Sequence, residues 1–352
     1  MIDLKQYGYI ETEKNDDGLI PARVTAVHRD RYELICQTGT KHGKLKTSVY
    51  YGRELHPFPT VGDFVLIRDV EGGDCQIAET LPRRSYFSRT DPKPGGFTEQ
   101  AVAANFDTVF IMQSLNQNFN LRRLERYLTI SWQSGAIPVI ILTKVDLIDD
   151  PTEQLMQVEE IAAGVDIIAT STKTGAGLKE LEKYLQPGKT CVFLGSSGVG
   201  KSSLLNALMG EDVMVVKEIR EDDARGRHTT THREMFTLPC GAHIIDTPGM
   251  REIGMWENEI GALKSSVSDV FADVEEYLGT CKFSDCRHES EPGCSIKTAI
   301  ENGIFTQERW ESYQKLEREA LYAADKSAAM RDRTVKSVEL ETWWRNRNKE
   351  IW

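Results

Sequence analysis

The residues with the clearest chemical potential form a glycine-rich run that ends in a lysine and a serine. Residues 195–202 match the pattern G-x-x-x-x-G-K-[ST], between an apolar run and a helix-like segment. Such a loop turns backbone N–H groups and a helix N-terminus toward phosphate oxygens. We expect Lys201 to contact the β- and γ-phosphates and serve catalysis, and the Ser202 hydroxyl to bind Mg²⁺. The expected nucleotide-contacting residues of this loop are Gly195, Ser196, Ser197, Gly198, Val199, Gly200, Lys201, Ser202 and Ser203.

A second motif, T-K-V-D at residues 143–146, predicts the choice of base. The carboxylate of Asp146 suits the N1–H and exocyclic amine of guanine, a donor pair that adenine lacks. Residues 171–175, after the next predicted strand, fit a loop that supports the base. The predicted base-contacting residues are Thr143, Lys144, Asp146, Ser171 and Thr172. Because this motif precedes the phosphate loop, reversing the usual order, the sequence predicts a circularly permuted GTPase domain.

A third motif, D-T-P-G at residues 246–249, follows the phosphate loop and ends an apolar strand pattern. We expect the carboxylate of Asp246 to join the Mg²⁺ sphere and the N–H of Gly249 to contact the γ-phosphate. The cofactor predicted for this site is therefore Mg²⁺ bound together with GTP.

Between these motifs lies a basic segment with three consecutive threonines, residues 229–231. A switch loop offers a threonine to Mg²⁺ and the γ-phosphate, and the sequence favours Thr230 or Thr231 without deciding between them. The cationic side chains of this segment fit three roles: neutralising transition-state charge, binding RNA phosphates, or facing solvent.

Met250 stands where many GTPases have a water-orienting glutamine. His228 is the best substitute near neutral pH, so we expect slow intrinsic hydrolysis that a partner stimulates.

Four residues near the C-terminal third have metal-ligand spacing. Three thiols and one imidazole within fourteen residues suit a tetrahedral Zn²⁺ with no open position, which makes the predicted site structural. The predicted zinc ligands are Cys281, Cys286, His288 and Cys294. The remaining cysteines, in apolar or strand-like surroundings, are expected to be buried free thiols: Cys36, Cys75, Cys191 and Cys240.

The composition limits the classes of function. The chain has 352 residues, 40% hydrophobic and 28% charged, which predicts two or three globular domains. A net charge of -11 argues against nucleic-acid binding through bulk charge, but not through a local basic face. The apolar windows are too short to cross a bilayer, and the N-terminus lacks a signal pattern, so we expect a cytoplasmic protein and, by default, a monomer. The C-terminal tail mixes basic residues with tryptophans and fits either RNA contact or a packed surface helix.

The elements that must position these residues fall into three predicted parts. Residues 1–85 show five short strands, at 22–28, 32–37, 43–48, 62–68 and 74–80, which suit an OB-fold barrel. Residues 86–262 alternate strands and helices, as a parallel sheet requires: strands 107–112, 138–143 and 165–170, and helices 121–134, 151–163 and 178–185. Residues 263–352 form a mostly helical zinc-binding domain. The predicted fold class is multidomain α/β.

The order of the motifs, the R-H-T-T-T run at residues 227–231 and the C-x4-C-x-H-x5-C spacing resemble the circularly permuted GTPases of the RsgA (YjeQ) family. The resemblance covers nearly the whole chain. It implies an OB-fold, a permuted GTPase domain and a zinc-binding domain. It also implies late maturation of the small ribosomal subunit, with hydrolysis stimulated by that subunit, contact with its rRNA, and a hydrolytic role for His228.

One departure from the family pattern concerns Thr143, which stands where the base motif usually has an asparagine that ties it to the phosphate loop. On this ground the sequence predicts a weaker tie and lower nucleotide affinity. Two other functions remain open at this point. One is a nucleotide-gated RNA-binding paralogue with little turnover, and the other, ranked last, is a small-molecule phosphotransferase.

Overall fold

A closed five-stranded barrel forms the N-terminal part of the computed structural model, which describes residues 1–10, 18–28, 31–50, 57–70, 72–90, 99–116, 118–214, 233–246, 262–289 and 291–322. Its strands are β1 (Ile20–Val27), β2 (Tyr32–Cys36), β3 (Gly39–Leu45), β4 (Phe64–Arg68) and β5 (Cys75–Thr80), with the short helix α1 (Thr47–Tyr50) after β3. The strand order 1-2-3-5-4 closes through the pairing of β1 with β4. All pairs are antiparallel except β3 with β5. The OB-fold expected from the sequence is confirmed.

Four barrel strands begin at residues other than the predicted ones; β1 begins at Ile20 instead of residue 22, and β5 at Cys75 instead of residue 74. β3 starts at Gly39 instead of residue 43, because Cys36 pairs with Gly39 across a two-residue turn. β4 starts at Phe64 instead of residue 62, since the Asp63 carboxylate accepts from the N–H of Thr60 and closes a turn there. Buried residues from β1, β2, β4 and β5 fill the barrel interior, including Val24, Leu34, Val65 and Ile77, and the partly buried Leu45 of β3 packs against them.

The next strands, β6 (Tyr86–Thr90) and β7 (Glu99–Ala104), pair with each other and lead into the sheet that carries the phosphate-loop and base motifs. That sheet contains β8 (Thr108–Ser114), β9 (Ile137–Thr143), β10 (Asp166–Thr170), β11 (Thr190–Gly195), β12 (Arg233–Thr237) and β13 (His243–Asp246). Its helices are α2 (Leu121–Gln133), α3 (Thr152–Ile161) and α4 (Lys201–Met209). The order is β10-β9-β8-β11-β13-β12, parallel except for β12. The predicted helix at 178–185 is instead a short 3₁₀ helix, Leu178–Lys183.

The barrel and the parallel sheet are hydrogen-bonded into one eleven-stranded sheet. β12 pairs with β1 through Glu234 opposite Ala26 and Arg233 opposite Val27. Gly62 allows the barrel to approach the end of β7 closely, because a Cβ at this position would lie 2.0 Å from the carbonyl oxygen of Ala104. These parts belong to one compact unit, Met1–Arg89 with Gln100–Ile253.

A second compact unit contains Thr90–Glu99 and Gly254–Trp352. Among the described residues of this unit the helices are α5 (Ala262–Val270), α6 (Ala272–Glu275), α7 (Ser295–Glu301) and one over residues 307–322, here α8. The guanidinium of Arg309 on α8 pairs with the Asp273 carboxylate at 2.6 Å and lies over the Phe271 ring. The buried side chains of this unit include Phe271, Val274, Ile296, Phe305 and Tyr313.

The burial of the free cysteines differs from expectation at one position. Cys36, Cys75 and Cys191 are buried, whereas Cys240 is exposed. Cys240 lies in the turn between β12 and β13, which the N–H of Gly241 closes onto the carbonyl of Leu238. Its side chain therefore lies outside the sheet, and the prediction was wrong there. Across the parts of the chain that the structure describes, we find no helix with the length and apolar character that a bilayer crossing needs.

Candidate nucleotide site and metal centre

The phosphate-loop motif lies between the end of β11 at Gly195 and the start of α4 at Lys201. Gly198 and Gly200 have φ angles of 75° and 112°, a region that glycine enters without strain. β11 is the parallel neighbour of both β8 and β13. Because parallel strands end at one edge of a sheet, the loop lies beside the ends of those strands, where α/β sheets bind ligands.

The ammonium group of Lys201 lies against the loop itself. Its Nζ donates to the carbonyl oxygens of Gly195 at 2.7 Å and Ser196 at 2.9 Å. The lysine charge is thus held where the loop wraps the N-terminus of α4, whose dipole also favours an anion. Loop, lysine and helix end together fit a chain of phosphates.

A polar cluster after β8 supports the phosphate loop, and no sequence motif predicts this cluster. The side-chain amide of Asn118 donates to the Ser196 hydroxyl at 3.0 Å. Asn118 is held in turn by the guanidinium of Arg123 and by the amide of Gln113, which donates to its carbonyl oxygen at 2.7 Å. The only available signal was the polar composition of residues 116–120 directly after a buried strand.

The base motif contacts the phosphate loop directly. Thr143 ends β9, and its hydroxyl donates to the carbonyl oxygen of Val199 at 2.6 Å. Lys144, with a φ of 62°, donates from its Nζ to the carbonyl oxygen of Gly198 at 2.9 Å. The tie between the two motifs that a threonine was expected to weaken is therefore present, made by the buried Thr143 hydroxyl and by the Lys144 ammonium group.

Asp146 and the loop after β10 lie beside this contact. Asp146 is exposed within a 3₁₀ helix, Val145–Leu147, at the end of β9. The hydroxyl of Ser171 accepts from the backbone N–H groups of Lys173 and Thr174, both at 3.2 Å, and so shapes the supporting loop. Thr172 lines a cavity of about 480 Å³ together with Ser203, Asn206, Ala207, Gly210, Glu211 and Asp212. The cavity thus joins the base-supporting loop to α4.

The two expected magnesium ligands come from neighbouring elements of this edge. Ser202 is in the first turn of α4, and Asp246 is the last residue of β13. The register of β11 with β13, Val192 opposite Ile245, brings Asp246 beside the strand that enters the phosphate loop. A hydroxyl and a carboxylate are hard oxygen ligands, which Mg²⁺ prefers. The donor set fits the ion.

Several residues assigned from the sequence lie outside the described residues. They are His228, Thr229, Thr230, Thr231, Gly249 and Met250, together with the basic C-terminal tail. Their roles stay predictions.

The Cys/His cluster in the second unit has the dimensions of a metal centre. The Nδ1 atom of His288 lies 3.5 Å from the Sγ of Cys281, 3.7 Å from that of Cys286 and 3.4 Å from that of Cys294. All four candidate ligand atoms lie within 4.8 Å of one another. A tetrahedral Zn²⁺ with one nitrogen and three sulfur ligands places nitrogen and sulfur roughly 3.6 Å apart. The residues present fit zinc.

Residues outside the four candidate ligands contact and orient this cluster. The N–H of Ser295, at the start of α7, donates to the Sγ of Cys281 at 3.3 Å. Desolvation raises the pKa of the Cys281 thiol, but hydrogen bonds of this kind outweigh it and leave that pKa below its ordinary value. The imidazole of His288 packs edge-on against Trp310 with ring centroids 5.3 Å apart. The thiolate form that metals require is therefore favoured at Cys281, whereas desolvation raises the pKa of the Cys286 thiol.

A parallel sheet that carries a guanine-type motif and a phosphate loop at one edge, in inverted chain order, defines a circularly permuted GTPase. A sequence model described as RsgA GTPase matches residues 80–256. The chain belongs to the RsgA GTPase family.

Curated relatives align over most of the chain. "Small ribosomal subunit biogenesis GTPase RsgA 2" of Listeria monocytogenes is 45% identical over 328 residues, 92% of this chain and 91% of that protein. The protein of the same name from Lactiplantibacillus plantarum is 43% identical over 328 residues, 91% of this chain and 90% of that protein.

Two solved structures have the same fold. YjeQ from Thermotoga maritima matches with a TM-score of 0.61 and 28% identity, covering 86% of this chain and 99% of that chain. YloQ, described as a circularly permuted GTPase, matches with a TM-score of 0.55 and 23% identity, covering 90% and 99%, and supports the fold alone.

Proposed function

We propose that this GTPase acts in the biogenesis of the small ribosomal subunit, is stimulated by that subunit, and couples its nucleotide state to rRNA binding. The names of its relatives, which describe small ribosomal subunit biogenesis GTPases, support the small ribosomal subunit as its partner. The observation that carries the proposal is the direct hydrogen bond from Thr143 to Val199, which makes one site of the base motif and the phosphate loop. We propose that it acts in the cytoplasm and as a monomer.

The residue roles follow from the chemistry of each group. Lys201 neutralises phosphate charge, Ser202 and Asp246 hold Mg²⁺, and Asp146 selects guanine. In the segment outside the described residues, Thr230 or Thr231 contacts Mg²⁺ and His228 positions water. The Cys₃His cluster holds one structural Zn²⁺. We assign these tasks to three parts: residues 1–85 as the OB-fold, 86–262 as the GTPase domain and 263–352 as the zinc-binding domain.

The test is GTP hydrolysis by the full-length protein, alone and with purified small ribosomal subunits, with large subunits and ATP as controls. We expect strong stimulation that requires both GTP and small subunits. The Lys201→Ala variant should lose about 10²–10³-fold in rate, since one charge-stabilising donor is removed. Lys189→Ala is the matched control, because Lys189 lies at the opposite end of β11 in an exposed ion pair with Asp107.

Tight GTP binding without stimulation by small subunits would contradict the proposal. Such a protein would instead match the description of a nucleotide-gated RNA-binding paralogue with little turnover.

A further inference from the structure

One residue of the polar cluster after β8 contacts the phosphate loop through its side chain. The Nδ2 atom of Asn118 donates to the hydroxyl of Ser196 at 3.0 Å. Ser196 is the second residue of the loop and is buried. Its neighbours in the loop include glycines, which lose more conformational freedom than other residues when they become ordered. A side-chain contact at Ser196 therefore restricts the loop before a nucleotide binds.

Asn118 is itself held by several hydrogen bonds, so that it forms a fixed point. Its Oδ1 accepts from the guanidinium of Arg123 at 3.1 Å, and its carbonyl oxygen accepts from the side-chain amide of Gln113 at 2.7 Å. Its N–H donates to the Oδ1 of Asn116 at 3.0 Å. Because a guanidinium can only donate, Oδ1 faces Arg123 and the amino group faces Ser196. The orientation of the Asn118 amide is thereby determined.

The contact at Ser196 leads directly to the lysine of the phosphate loop. The carbonyl oxygen of Ser196 accepts from the Nζ of Lys201 at 2.9 Å. One loop residue thus contacts Asn118 with its side chain and Lys201 with its backbone. The Thr143 hydroxyl holds the loop at a different point, the carbonyl oxygen of Val199. Asn118 therefore supports the part of the loop that accepts from the lysine.

We propose that Asn118 is a positioning residue for GTP hydrolysis, which fixes Ser196 and, through the Ser196 carbonyl, the ammonium group of Lys201. The inference rests on the role proposed above for Lys201 at the β- and γ-phosphates. Charge develops on the transferring phosphoryl group in the transition state, and a cation that is already in place stabilises it most effectively. Displacement of such a group by about 1 Å costs up to about 10²-fold in rate.

The predicted signature is a loss of hydrolysis that exceeds the loss of GDP affinity. In the Asn118→Ala protein we expect the single-turnover rate to fall about tenfold, while GDP affinity stays within about threefold of wild type. GDP affinity is spared because GDP lacks the phosphoryl group that is transferred. Asn118→Asp keeps a contact, since the Ser196 hydroxyl can donate to a carboxylate, but adds a negative charge beside the phosphate loop. Its rate should lie between those of wild type and Asn118→Ala.

A double-mutant cycle tests whether Asn118 acts through Ser196. Ser196→Ala removes the hydroxyl that accepts from Asn118 and should slow hydrolysis by a similar factor. The double variant should have a rate within about twofold of either single variant, because both changes remove the same contact. Rate losses that multiply in the double variant would overturn the inference, and so would a wild-type rate in Asn118→Ala or a GDP affinity that falls in parallel with the rate.

Thr129→Ala is the matched control for general destabilisation. Thr129 is buried on α2, and its hydroxyl donates to the carbonyl oxygen of Glu125 in the same helix at 3.0 Å. We expect this variant to lose stability in thermal unfolding and to hydrolyse GTP at the wild-type rate. GDP affinity is measured with a fluorescent analogue. If Thr129→Ala slows hydrolysis as much as Asn118→Ala at equal stability, the effect is one of destabilisation and the positioning role is overturned.

The two proposals fail in distinguishable ways. Small subunits that leave the wild-type rate unchanged would contradict the proposed function, and the cycle of intrinsic rates would still decide the role of Asn118. Slow hydrolysis in Lys201→Ala together with a wild-type rate in Asn118→Ala would overturn the inference alone.

Discussion

The nucleotide site and the Cys/His centre are built by opposite means. The first collects Thr143, Gly195 and Asp246 from the ends of three strands that lie far apart in the chain. The strands themselves are largely buried, and their register fixes each residue. The second takes all its ligands from residues 281–294, which consist mainly of turns. Among the described residues of 281–293 none is buried.

This difference separates two sources of order. A site on a packed sheet exists before its ligand arrives, because core burial positions the side chains. A turn-rich segment without a core depends on the metal to hold it, since the free energy of metal binding is then folding free energy. Variants that remove core contacts should therefore damage the nucleotide site, and removal of the ion should damage the second unit.

The largest effect is expected from loss of zinc. Removing the ion by chelation, or one ligand by Cys286→Ser, should unfold residues 281–301, because structural zinc contributes on the order of 10 kcal/mol. Hydrogen exchange in this segment and the environment of Trp310, next to His288, report the change. Exchange in β8 and β11 should stay as in the zinc-bound protein.

Cys240→Ser is the control for zinc binding, because Cys240 is the exposed cysteine outside the cluster. It should retain one zinc per chain. Unchanged protection of residues 281–301 after zinc removal would show that the second unit orders this segment without metal.

A second effect tests the framework of the nucleotide site through Arg23. This residue on β1 is fully buried, and its guanidinium donates to the carbonyl oxygens of Gly62 at 3.2 Å and Asn105 at 2.9 Å and to the Thr190 hydroxyl at 2.9 Å. Desolvation lowers its pKa to about 9, so it stays charged at neutral pH. Arg23→Met should reduce the free energy of unfolding by about 3–5 kcal/mol, because several buried acceptors lose their donor.

Urea unfolding of Arg23→Met and Arg31→Met checks this. Arg31 forms an exposed ion pair with Asp74, and its loss should cost no more than about 1 kcal/mol. Equal midpoints for the two variants would mean that the barrel and the start of β11 do not depend on Arg23.

The motifs of both sites were readable from the sequence because each is local. The phosphate loop, the base motif and the Cys/His spacing occupy contiguous residues, and hydrophobic patterns place them after strands. Alternation also indicated the five barrel strands, since period-2 patterns survive in half-buried sheets.

The contacts that join these motifs were not readable. Asn118 and Ser196 are 78 residues apart, and Arg23 and Thr190 are 167 apart. Such pairs depend on the packing of the complete sheet, which no local pattern encodes. The exposure of Cys240 could not be predicted from the sequence for a similar reason, because the register of the β12–β13 hairpin determines which residues lie in the turn.

The imidazole of His243, at the start of β13, should contribute to the pH dependence of the free energy of unfolding. Its Nε2 donates to the carbonyl oxygen of Gln6 at 2.9 Å, so the neutral ring accepts from the Thr237 hydroxyl at Nδ1. Desolvation lowers its pKa from 6.5 to about 4, against the opposing effect of Gln6. Between these values the unfolded chain binds a proton and the folded chain does not, so stability falls with falling pH, by about 3 kcal/mol in total.

Urea unfolding at pH 7.5 and pH 4.5 of wild type and His243→Gln isolates this contribution. Carboxylates titrate in both proteins and cancel in the difference. The variant should lose less stability than wild type over this interval, and parallel losses would contradict the burial of a neutral imidazole.

The smallest effect concerns the Thr143 hydroxyl, one of the two groups that tie the base motif to the phosphate loop. Thr143→Val keeps the shape of the side chain and removes the bond to the Val199 carbonyl, which is worth about 1 kcal/mol. We expect roughly fivefold weaker binding of both GDP and a GTP analogue, because the bond positions the loop irrespective of the γ-phosphate. Thr143→Ser retains the hydroxyl and should bind like wild type. If Thr143→Val also binds like wild type, the bond from Lys144 to Gly198 suffices to hold the motifs together.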